Sequence, residues 1–231
     1  MKLLFCLLSI CLLTQGSGYG SSRQTKYDFH SQASQDAFVY TLLYDIEKKK
    51  DQGYYLDIGA AHPIIISNTY FFEKYFHWKG ISIDVSPDYT NAWAATRNNP
   101  LLNEDATKIN YRSILESFPF IIDYLSLDVD GQYDTVLQQI PFDQYLFKII
   151  TIEHDYYRFG DFYRKNERDI LQAKGYYLLC PDVSHPDVGS FEDWWIHPSG
   201  FSEKTLLQLI FLDLKEKNHD EIVSLLKNLA F

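Results

Sequence analysis

The sequence contains little cysteine and no signal for N-glycosylation. Only three cysteines occur in 231 residues, and two of them, Cys6 and Cys11, lie in an apolar N-terminal stretch. If that stretch is removed, Cys180 is left alone, so an internal disulfide is excluded and the fold depends on its hydrophobic core. Because no Asn-x-Ser/Thr sequence occurs either, export is supported by the N-terminal stretch alone.

Positive charge is also scarce. The chain has 21 Lys and Arg against 31 Asp and Glu, a formal net charge of −10. No dense basic cluster offsets this balance, and the run Lys48–Lys50 is typical of a solvated helix end. The composition therefore argues against nucleic acid as a partner, since a phosphate backbone is bound by concentrated positive charge.

The sequence lacks an apolar run long enough to span a bilayer, which requires about 20 residues. Its longest run, Leu3–Leu13, follows Lys2 and precedes small residues, with Gly16 and Gly18 in the −3 and −1 positions before a cleavage site. This layout predicts a secretory signal over residues 1–18, and hence a periplasmic, luminal or extracellular protein. A retained signal anchor and a buried N-terminus are the alternatives.

The rest of the chain has the composition of one globular domain. Hydrophobic residues make up 46% of the sequence, and 18 Tyr and 16 Phe argue against disorder. We expect an extended segment over 19–33, a domain over 34–200, and a helical tail over 201–231 that packs on the same domain.

Apolar segments typical of buried strands alternate with helical segments along this domain. Such alternation predicts a mostly parallel sheet with helices on both faces, built from right-handed crossovers. The predicted strands are 54–57, 80–84, 101–106, 121–130, 147–155 and 176–183, and the predicted helices are 34–44, 69–76, 87–97, 132–139, 161–174 and 202–229.

Several of the predicted strands end in a carboxylate. In open parallel sheets the ligand crevice lies beyond the carboxyl ends of the strands. We therefore expect these acids to share one rim of the sheet. They are Asp57, Asp84, Asp128 with Asp130, and Glu153.

The stretch Tyr54–His62 is the best candidate for a cofactor site. It is an apolar strand that turns through Gly59 and Ala60, and Asn68 lies where the next helix begins. Small residues let a ligand approach the backbone closely, and a helix N-terminus offers free N–H groups. A dinucleotide would need the fuller Gly-x-Gly-x-x-Gly turn, whose second glycine is missing here.

A nucleoside that carries an amino acid and no phosphate fits this stretch better. Asp84 ends the second strand, where a carboxylate can accept hydrogen bonds from two ribose hydroxyls. Asp57 would lie near a cationic amino group, and Asp105 with Ala106 would meet the adenine. These features point to S-adenosylmethionine.

The chain resembles the FkbM-like branch of the class I S-adenosylmethionine-dependent methyltransferases, over roughly 31–198. Two departures are Ala61 and Pro63, where many relatives have Asn and Gly, and Asp130, where the family usually has Glu. The resemblance implies a seven-stranded Rossmann-like sheet with an antiparallel last hairpin. It also implies methyl transfer to a hydroxyl of a sugar or other small metabolite. The segments that carry it are 34–36, 56–61, 67–70, 80–84 with Pro87, 123–131, 152–155, 175–176 and 193–195.

Methyl transfer to a hydroxyl needs a base beside the acceptor oxygen. His154 is the preferred base because a neutral imidazole works near neutral pH, and Asp128 or Glu153 could orient it or take its place. A structural histidine at a strand end fits His154 equally well.

Alternatively, Asp128, Asp130 and Glu153, with His154, could hold a divalent metal that acidifies the acceptor hydroxyl. The segment Asp193–Trp195 could line an acceptor pocket or pack in the core.

Three functions are consistent with these features. The first is a methyltransferase acting on a glycan or small-molecule hydroxyl. The second is an exported protein that keeps the fold without catalysis, because S-adenosylmethionine is made in the cytosol. The third, an NAD or nucleotide-sugar enzyme on a similar sheet, is disfavoured by the missing phosphate-binding glycines.

Overall fold

A computed structural model of the chain describes residues 27–230. The predicted signal over 1–18 and most of the predicted extended segment over 19–33 lie outside the described residues. Within the described range one sheet has seven strands in the order β3-β2-β1-β4-β5-β7-β6. The strands are β1 (Tyr54–Ile58), β2 (Lys79–Ile83), β3 (Leu101–Leu102), β4 (Ile121–Leu127), β5 (Leu146–Glu153), β6 (Tyr177–His185) and β7 (Gly189–Ile196).

This sheet confirms the predicted fold class. Strands β1 to β5 pair in parallel, whereas β7 runs antiparallel to both β5 and β6. The seventh strand was expected only through the family resemblance, because two adjacent acids followed by two tryptophans, Glu192–Trp195, are not the pattern of a buried strand. Strands β2, β3, β4 and β5 end earlier than predicted, so that Asp84, Asp105, Asp128, Asp130 and His154 follow their strands.

The helices cover both faces of the sheet. The predicted first helix consists of α1 and a π-helical continuation over Thr41–Ile46, and the predicted tail helix is divided into α8 and α9. No helix within residues 27–230 is long and apolar enough to cross a membrane. The helices are α1 (Gln35–Tyr40), α2 (Tyr70–Phe76), α3 (Thr90–Thr96), α4 (Tyr111–Ile114), α5 (Tyr133–Gln139), α6 (Tyr156–Phe159), α7 (Asp161–Ala173), α8 (Glu203–Leu209) and α9 (His219–Leu229).

Two hydrophobic clusters pack on opposite faces of the sheet, because successive side chains of a strand point to opposite faces. Trp194 belongs to one cluster and Trp195 to the other. The first cluster also contains Phe38 of α1 and Leu226 of α9, so the C-terminal tail shares the core of the domain. The tryptophans are completely buried, which favours packing over acceptor binding for these two rings.

A buried arginine fixes the loop that follows β1. Arg97 is 7% exposed, and its guanidinium donates to the Glu73 carboxylate at 2.6 Å, the Pro63 carbonyl at 2.9 Å and the Tyr55 hydroxyl at 2.8 Å. A buried guanidinium requires such partners, since an unpaired charge in the interior is strongly unfavourable. Through these contacts Arg97 ties the loop to β1 and α2, and the loop forms one wall of the site described next.

Candidate functional site

An open cleft of about 430 Å³ lies beyond the carboxyl ends of β1, β2 and β4. Its position is the one expected for a ligand crevice in an open parallel sheet, and its volume is within the usual range for small-molecule sites. Six residues predicted to bind a cofactor or metal line it: Gly59, Asp84, Asp105, Ala106, Asp128 and Asp130.

The Asp84 carboxylate joins the two loops at the mouth of the cleft. Its Oδ2 accepts the Ala61 N–H at 2.8 Å, and its Oδ1 accepts the Ser86 N–H at 2.7 Å. A carboxylate oxygen has room for a second hydrogen bond. Asp84 is therefore held in place by the backbone and can still accept two hydroxyl groups from a ligand.

Gly59 forms the floor of the cleft, where β1 approaches the end of β4. Its backbone has φ +85°, and a Cβ at this position would lie 1.5 Å from the carbonyl oxygen of Asp128. The Gly59 N–H donates to the Ile83 carbonyl at 2.8 Å. No side chain fits at this point, so only glycine allows the chain to turn here.

The cleft also has an apolar wall that the sequence reading missed. Val85, which follows the acid of the second strand, is 65% exposed, and an exposed branched side chain beside a cleft offers a surface for a flat ring. The position directly after a strand-ending acid was a usable signal for this residue. The unpredicted lining residues are Ala61, Ile83, Val85, Tyr89, Glu104, Thr107, Val129, Gly131, Gln132 and Val136.

Asp105 lines the cleft as predicted, and its carboxylate also caps the short 3₁₀ turn Ala106–Lys108. Its Oδ1 accepts the Thr107 N–H at 3.0 Å, and Lys108 pairs with it at 2.8 Å. The Lys108 ammonium, followed by the Thr107 donors, lowers the pKa of Asp105 to about 2. The carboxylate is ionised at all ordinary pH values.

Three predicted cofactor residues lie outside this cleft: Asp57, Ala60 and Asn68, the last of which lines the smaller pocket described next. Asp57 is inside β1, and its side chain is 2% exposed and accepts the Thr69 hydroxyl at 2.7 Å. Burial raises the pKa of Asp57. Ala60 is 7% exposed and does not contribute to the lining. Side chains alternate between the two faces of a strand, so Asp57 points away from the face on which its neighbours Leu56 and Ile58 are buried.

A second, much smaller pocket opens beside the cleft. It has a volume of about 30 Å³, room for about one water-sized group, and Asp128 lines both spaces. We call it the carboxyl pocket. It brings together predicted residues from three elements and adds Glu192, which the sequence reading did not single out. Its lining is Gln32, Gln35, Asn68, Ser126, Leu127, Asp128, Thr151, Glu153, Phe191 and Glu192.

The three acids of the carboxyl pocket hold protons unusually tightly. Glu192 is 3% exposed, and burial raises its pKa to about 8. Burial, and then the neighbouring Asp128, raises the pKa of Glu153, which hydrogen-bonds to Asp128. Asp128 is exposed to the cleft. Partial desolvation, with the nearby charges of Asp130 and Asp155, raises its pKa to about 6, so Asp128 is ionised and Glu192 keeps its proton near neutral pH.

Replacing Glu192 by glutamine is expected to stabilise the protein at alkaline pH. The folded-state pKa of Glu192 lies above its unfolded value of 4.5, so wild-type stability falls as pH rises from about 4.5 to about 8. The amide removes this dependence and still accepts the Gln35 N–H. Thermal unfolding at about pH 8.5 should show a higher Tm for the variant, by roughly 2–4 °C for each kcal/mol of stability gained in a chain of this size. Equal Tm differences at about pH 5 and about pH 8.5 would contradict the assignment.

His154 lies away from both spaces. The ring is fully buried, and its Nδ1 accepts the Tyr156 N–H at 3.2 Å. Its Nε2 has no hydrogen-bond partner among the described residues and lies 3.8 Å from the nearer oxygen of Asp193 and 4.0 Å from Asp182. Burial lowers the pKa of His154 to about 4. The structure therefore places this ring among structural groups and does not bring it to the rim with Asp128.

The cluster of His154, Asp182 and Asp193 has the ligand types of a metal site but the bonding of an ion-pair network. Its three ligand atoms lie within 4.8 Å of one another. However, Arg164 donates to Asp182 at 2.7 Å, and Arg168 donates to Asp193 at 2.6 Å, so the two carboxylates are already neutralised. Because Nδ1 of His154 accepts an N–H, the neutral ring carries its proton on Nε2, which then cannot bind a metal.

The predicted metal ligands are not gathered around one point. Asp130 is exposed, and its carboxylate pairs with Arg158 at 2.6 Å. Asp128 and Glu153 instead hydrogen-bond to each other. Within residues 27–230, the group of metal-binding side chains that the geometry brings together excludes all three. Nothing in this arrangement favours the metal alternative.

The fold is the Rossmann-like fold of class I methyltransferases, as the seven-stranded order with its antiparallel last hairpin defines. No protein-family model matches the sequence, and no curated protein matches it.

Among solved structures, the chain is similar to the plantazolicin methyltransferase BpumL in complex with SAH. The identity is 14% and the TM-score 0.48, over 70% of this chain and 81% of that one. It is also similar to the magnesium protoporphyrin IX methyltransferase ChlM from Synechocystis PCC 6803 with bound SAM, at 12% identity and TM-score 0.47, over 71% and 78% of the two chains. The N-methyltransferase NodS from Bradyrhizobium japonicum WM9 in complex with SAH follows at 13% identity and TM-score 0.40, over 70% and 86%. At such identities the similarity concerns the fold only.

Proposed function

We propose that the protein is an S-adenosylmethionine-dependent methyltransferase. The observation that carries this proposal is the shared cleft of Gly59 and Asp84, which has a glycine floor, a fixed carboxylate and an apolar wall but no phosphate-binding turn. A nucleoside needs a diol acceptor and a surface for its base, and both are present. A dinucleotide would also need a pyrophosphate site, for which the loop after β1 lacks the glycines.

Different residues of the cleft contact different parts of the cofactor. Asp84 accepts the two ribose hydroxyls, Val85 and Ala106 flank the adenine, and Asp105 stands at its edge. The acids on the β4 side, Asp128 and Asp130, face the cationic amino-acid part. The bound cofactor supplies an electrophilic methyl group on a positively charged sulfur.

The acceptor loses a proton to the carboxyl pair formed by Asp128, which follows β4, and Glu153, which ends β5. Of the three residues predicted for proton removal, Asp128 and Glu153 border the space beside the cleft, whereas His154 does not. A carboxylate whose pKa is about 6 is a better base than an ordinary aspartate and is still ionised at neutral pH. Bound S-adenosylmethionine would supply the methyl group to the acceptor oxygen and leave as S-adenosylhomocysteine, while Asp128 would take the acceptor proton and pass it to water.

The acceptor we propose is a hydroxyl of a sugar, a glycan or another small metabolite, and the chain we propose is an FkbM-like enzyme. Both statements depend on the sequence motifs of 56–61, 80–84 and 123–131. The same reasoning assigns the mature protein to the secretory pathway or the periplasm, through the leader over 1–18.

The second candidate is an exported protein that keeps the fold and does not transfer methyl groups. The leader favours it, since the methyl donor is made in the cytosol, and so do Ala61 and Pro63 in the loop of the cofactor site.

Calorimetric titration of residues 19–231 with S-adenosylhomocysteine separates the functions. Saturable binding, with no change in melting temperature on addition of NAD(H), is expected for the methyltransferase. If NAD(H) raises the melting temperature and S-adenosylhomocysteine does not bind, the hypothesis of an NAD-dependent enzyme would be favoured instead. Binding of neither ligand would leave the non-catalytic protein as the better description.

A further inference from the structure

The lining of the carboxyl pocket contains three acids and no compensating cation. Asp128, Glu153 and Glu192 border about 30 Å³ of space, and within the described residues no Lys, Arg or His contributes to the lining. The Arg158 guanidinium pairs with Asp130 and Asp155 outside the pocket. Glu192 is buried and Glu153 half-buried, and such carboxyl groups are normally hydrogen-bonded or paired with a positive charge, which the lining of the pocket does not supply.

Two of the amide donors around this space already have an acceptor. The Gln35 amide donates to Glu192 Oε2 at 2.9 Å, and the Asn68 amide donates to the Ser126 hydroxyl at 3.0 Å. The Asn68 Oδ1 atom is shielded from water and has no hydrogen-bond partner in the described part of the chain. An occupant therefore meets mainly oxygen acceptors, those of the three acids and of Asn68, which suits a group with several donor hydrogens.

The register of the sheet sets two of these acids directly opposite each other. Glu153 of β5 is the cross-strand partner of Glu192 of β7. Like charges in this relation destabilise an antiparallel pair. The pair can exist either with protons retained on the carboxyl groups or with a cation between them. The state with a cation is the ligand-bound form of the pocket, and the protonated state is its empty form.

We propose that the carboxyl pocket binds a primary ammonium group of the acceptor, so that the substrate is an amino alcohol or an amino sugar. This inference rests on the proposed methyltransferase function and deepens it. Asp128 borders both spaces, so an ammonium in the pocket places a neighbouring hydroxyl of the same molecule beside Asp128 and the cleft. An ammonium is about the size of a water molecule and brings three donors to an acceptor-rich pocket.

The test compares a minimal amino alcohol with its neutral counterpart. 2-Aminoethanol and ethylene glycol are titrated into the protein, with and without saturating S-adenosylhomocysteine, and binding is followed by NMR chemical shifts and calorimetry. We expect 2-aminoethanol to bind at least about tenfold more tightly at about pH 8, and the preference to vanish below about pH 5 as the carboxylates become protonated. Equal affinities for the two probes at about pH 8 would overturn the inference.

Glu192→Gln and Glu167→Gln form a matched pair of variants. Both glutamic acids are buried and both have raised pKa values, but Glu167 does not line the pocket. The tenfold preference should disappear in Glu192→Gln and persist in Glu167→Gln, while S-adenosylhomocysteine binds both variants as it binds the wild type. A preference that survives in Glu192→Gln would contradict the inference.

Calorimetry in buffers of different ionisation enthalpy adds a readout that a purely structural role would not change. Binding of the ammonium probe should release protons from the pocket, because a bound cation lowers the pKa of the neighbouring carboxyl groups. No proton release would count against an ammonium occupant. The two proposals can be contradicted separately. If the protein prefers the amine but does not bind S-adenosylhomocysteine, only the methyltransferase proposal is wrong. If it binds S-adenosylhomocysteine but shows no preference for the amine, only the ammonium site is wrong.

Discussion

Replacing Asp84 by alanine is expected to weaken S-adenosylhomocysteine binding about a hundredfold. Hydrogen bonds to a charged acceptor contribute about 1.5–3 kcal/mol each, and a hundredfold change in affinity corresponds to about 2.7 kcal/mol. The substitution removes the acceptor of two ribose hydroxyls and leaves the N–H groups of Ala61 and Ser86 without their partner. Isothermal titration calorimetry at constant pH and salt measures the effect.

Two further variants separate the lost ligand contacts from a disturbed loop. Asp84→Asn keeps one oxygen acceptor and the shape of the side chain, so its affinity should lie between those of the wild type and the alanine variant. Asp88→Ala removes an exposed carboxylate four residues away that does not line the cleft, and its affinity should equal that of the wild type. If Asp84→Ala binds the ligand as tightly as Asp88→Ala, the cleft does not hold a ribose at this acid.

The sequence was sufficient to predict the rim of the sheet. Asp84, Asp105 and Asp128 each follow an apolar segment, and parallel strands bring their carboxyl ends to one edge whatever the details of packing. Gly59 and Asp84 therefore meet at one cleft, although 25 positions separate them in the sequence. Predicting that these residues share one rim required only the order of strands and helices along the chain, without any side-chain detail.

Side-chain direction within a strand was not predictable to the same degree. Asp57 was expected at a strand end, but β1 continues to Ile58, and one residue of difference turns the carboxylate to a buried face. His154 follows the last residue of β5, and its surroundings are set by Asp182 and Asp193 of the last hairpin. Contacts from so far along the chain leave no trace in the local sequence.

Glu192 illustrates the same limit for the carboxyl pocket. In sequence it belongs to an aromatic and acidic segment with no strand-like pattern, and only the antiparallel register of β7 against β5 sets it opposite Glu153. Two acids in direct cross-strand contact violate the usual rule of sheet pairing, and such local violations concentrate at functional sites. The signal for this pocket is therefore that two acids face each other in a buried sheet, and it becomes visible only when the pairing of β7 with β5 is known.

Replacing Gly59 by alanine is expected to destabilise the protein by about 4 kcal/mol, which is exceptional for the addition of one methyl group. Its φ of +85° is unfavourable for alanine, and the new Cβ would lie 1.5 Å from the Asp128 carbonyl oxygen. That oxygen belongs to the backbone, so relief requires β1 and the end of β4 to separate. Urea unfolding followed by circular dichroism measures the loss.

Gly160→Ala is the matched control for this variant, because Gly160 also has a positive φ, of +59°, but no atom lies within 4 Å of its added Cβ. The control measures the backbone term without a clash, about 1–3 kcal/mol for alanine at φ +59° and ψ −144°. The remaining difference between the two variants then measures the clash with Asp128. Since Asp128 lines both the cleft and the carboxyl pocket, we also expect Gly59→Ala to lose S-adenosylhomocysteine binding, which Gly160→Ala retains. Equal stabilities for the two variants would show that β1 and β4 can part without strain, and the cleft would then lack the rigid floor that the cofactor site requires.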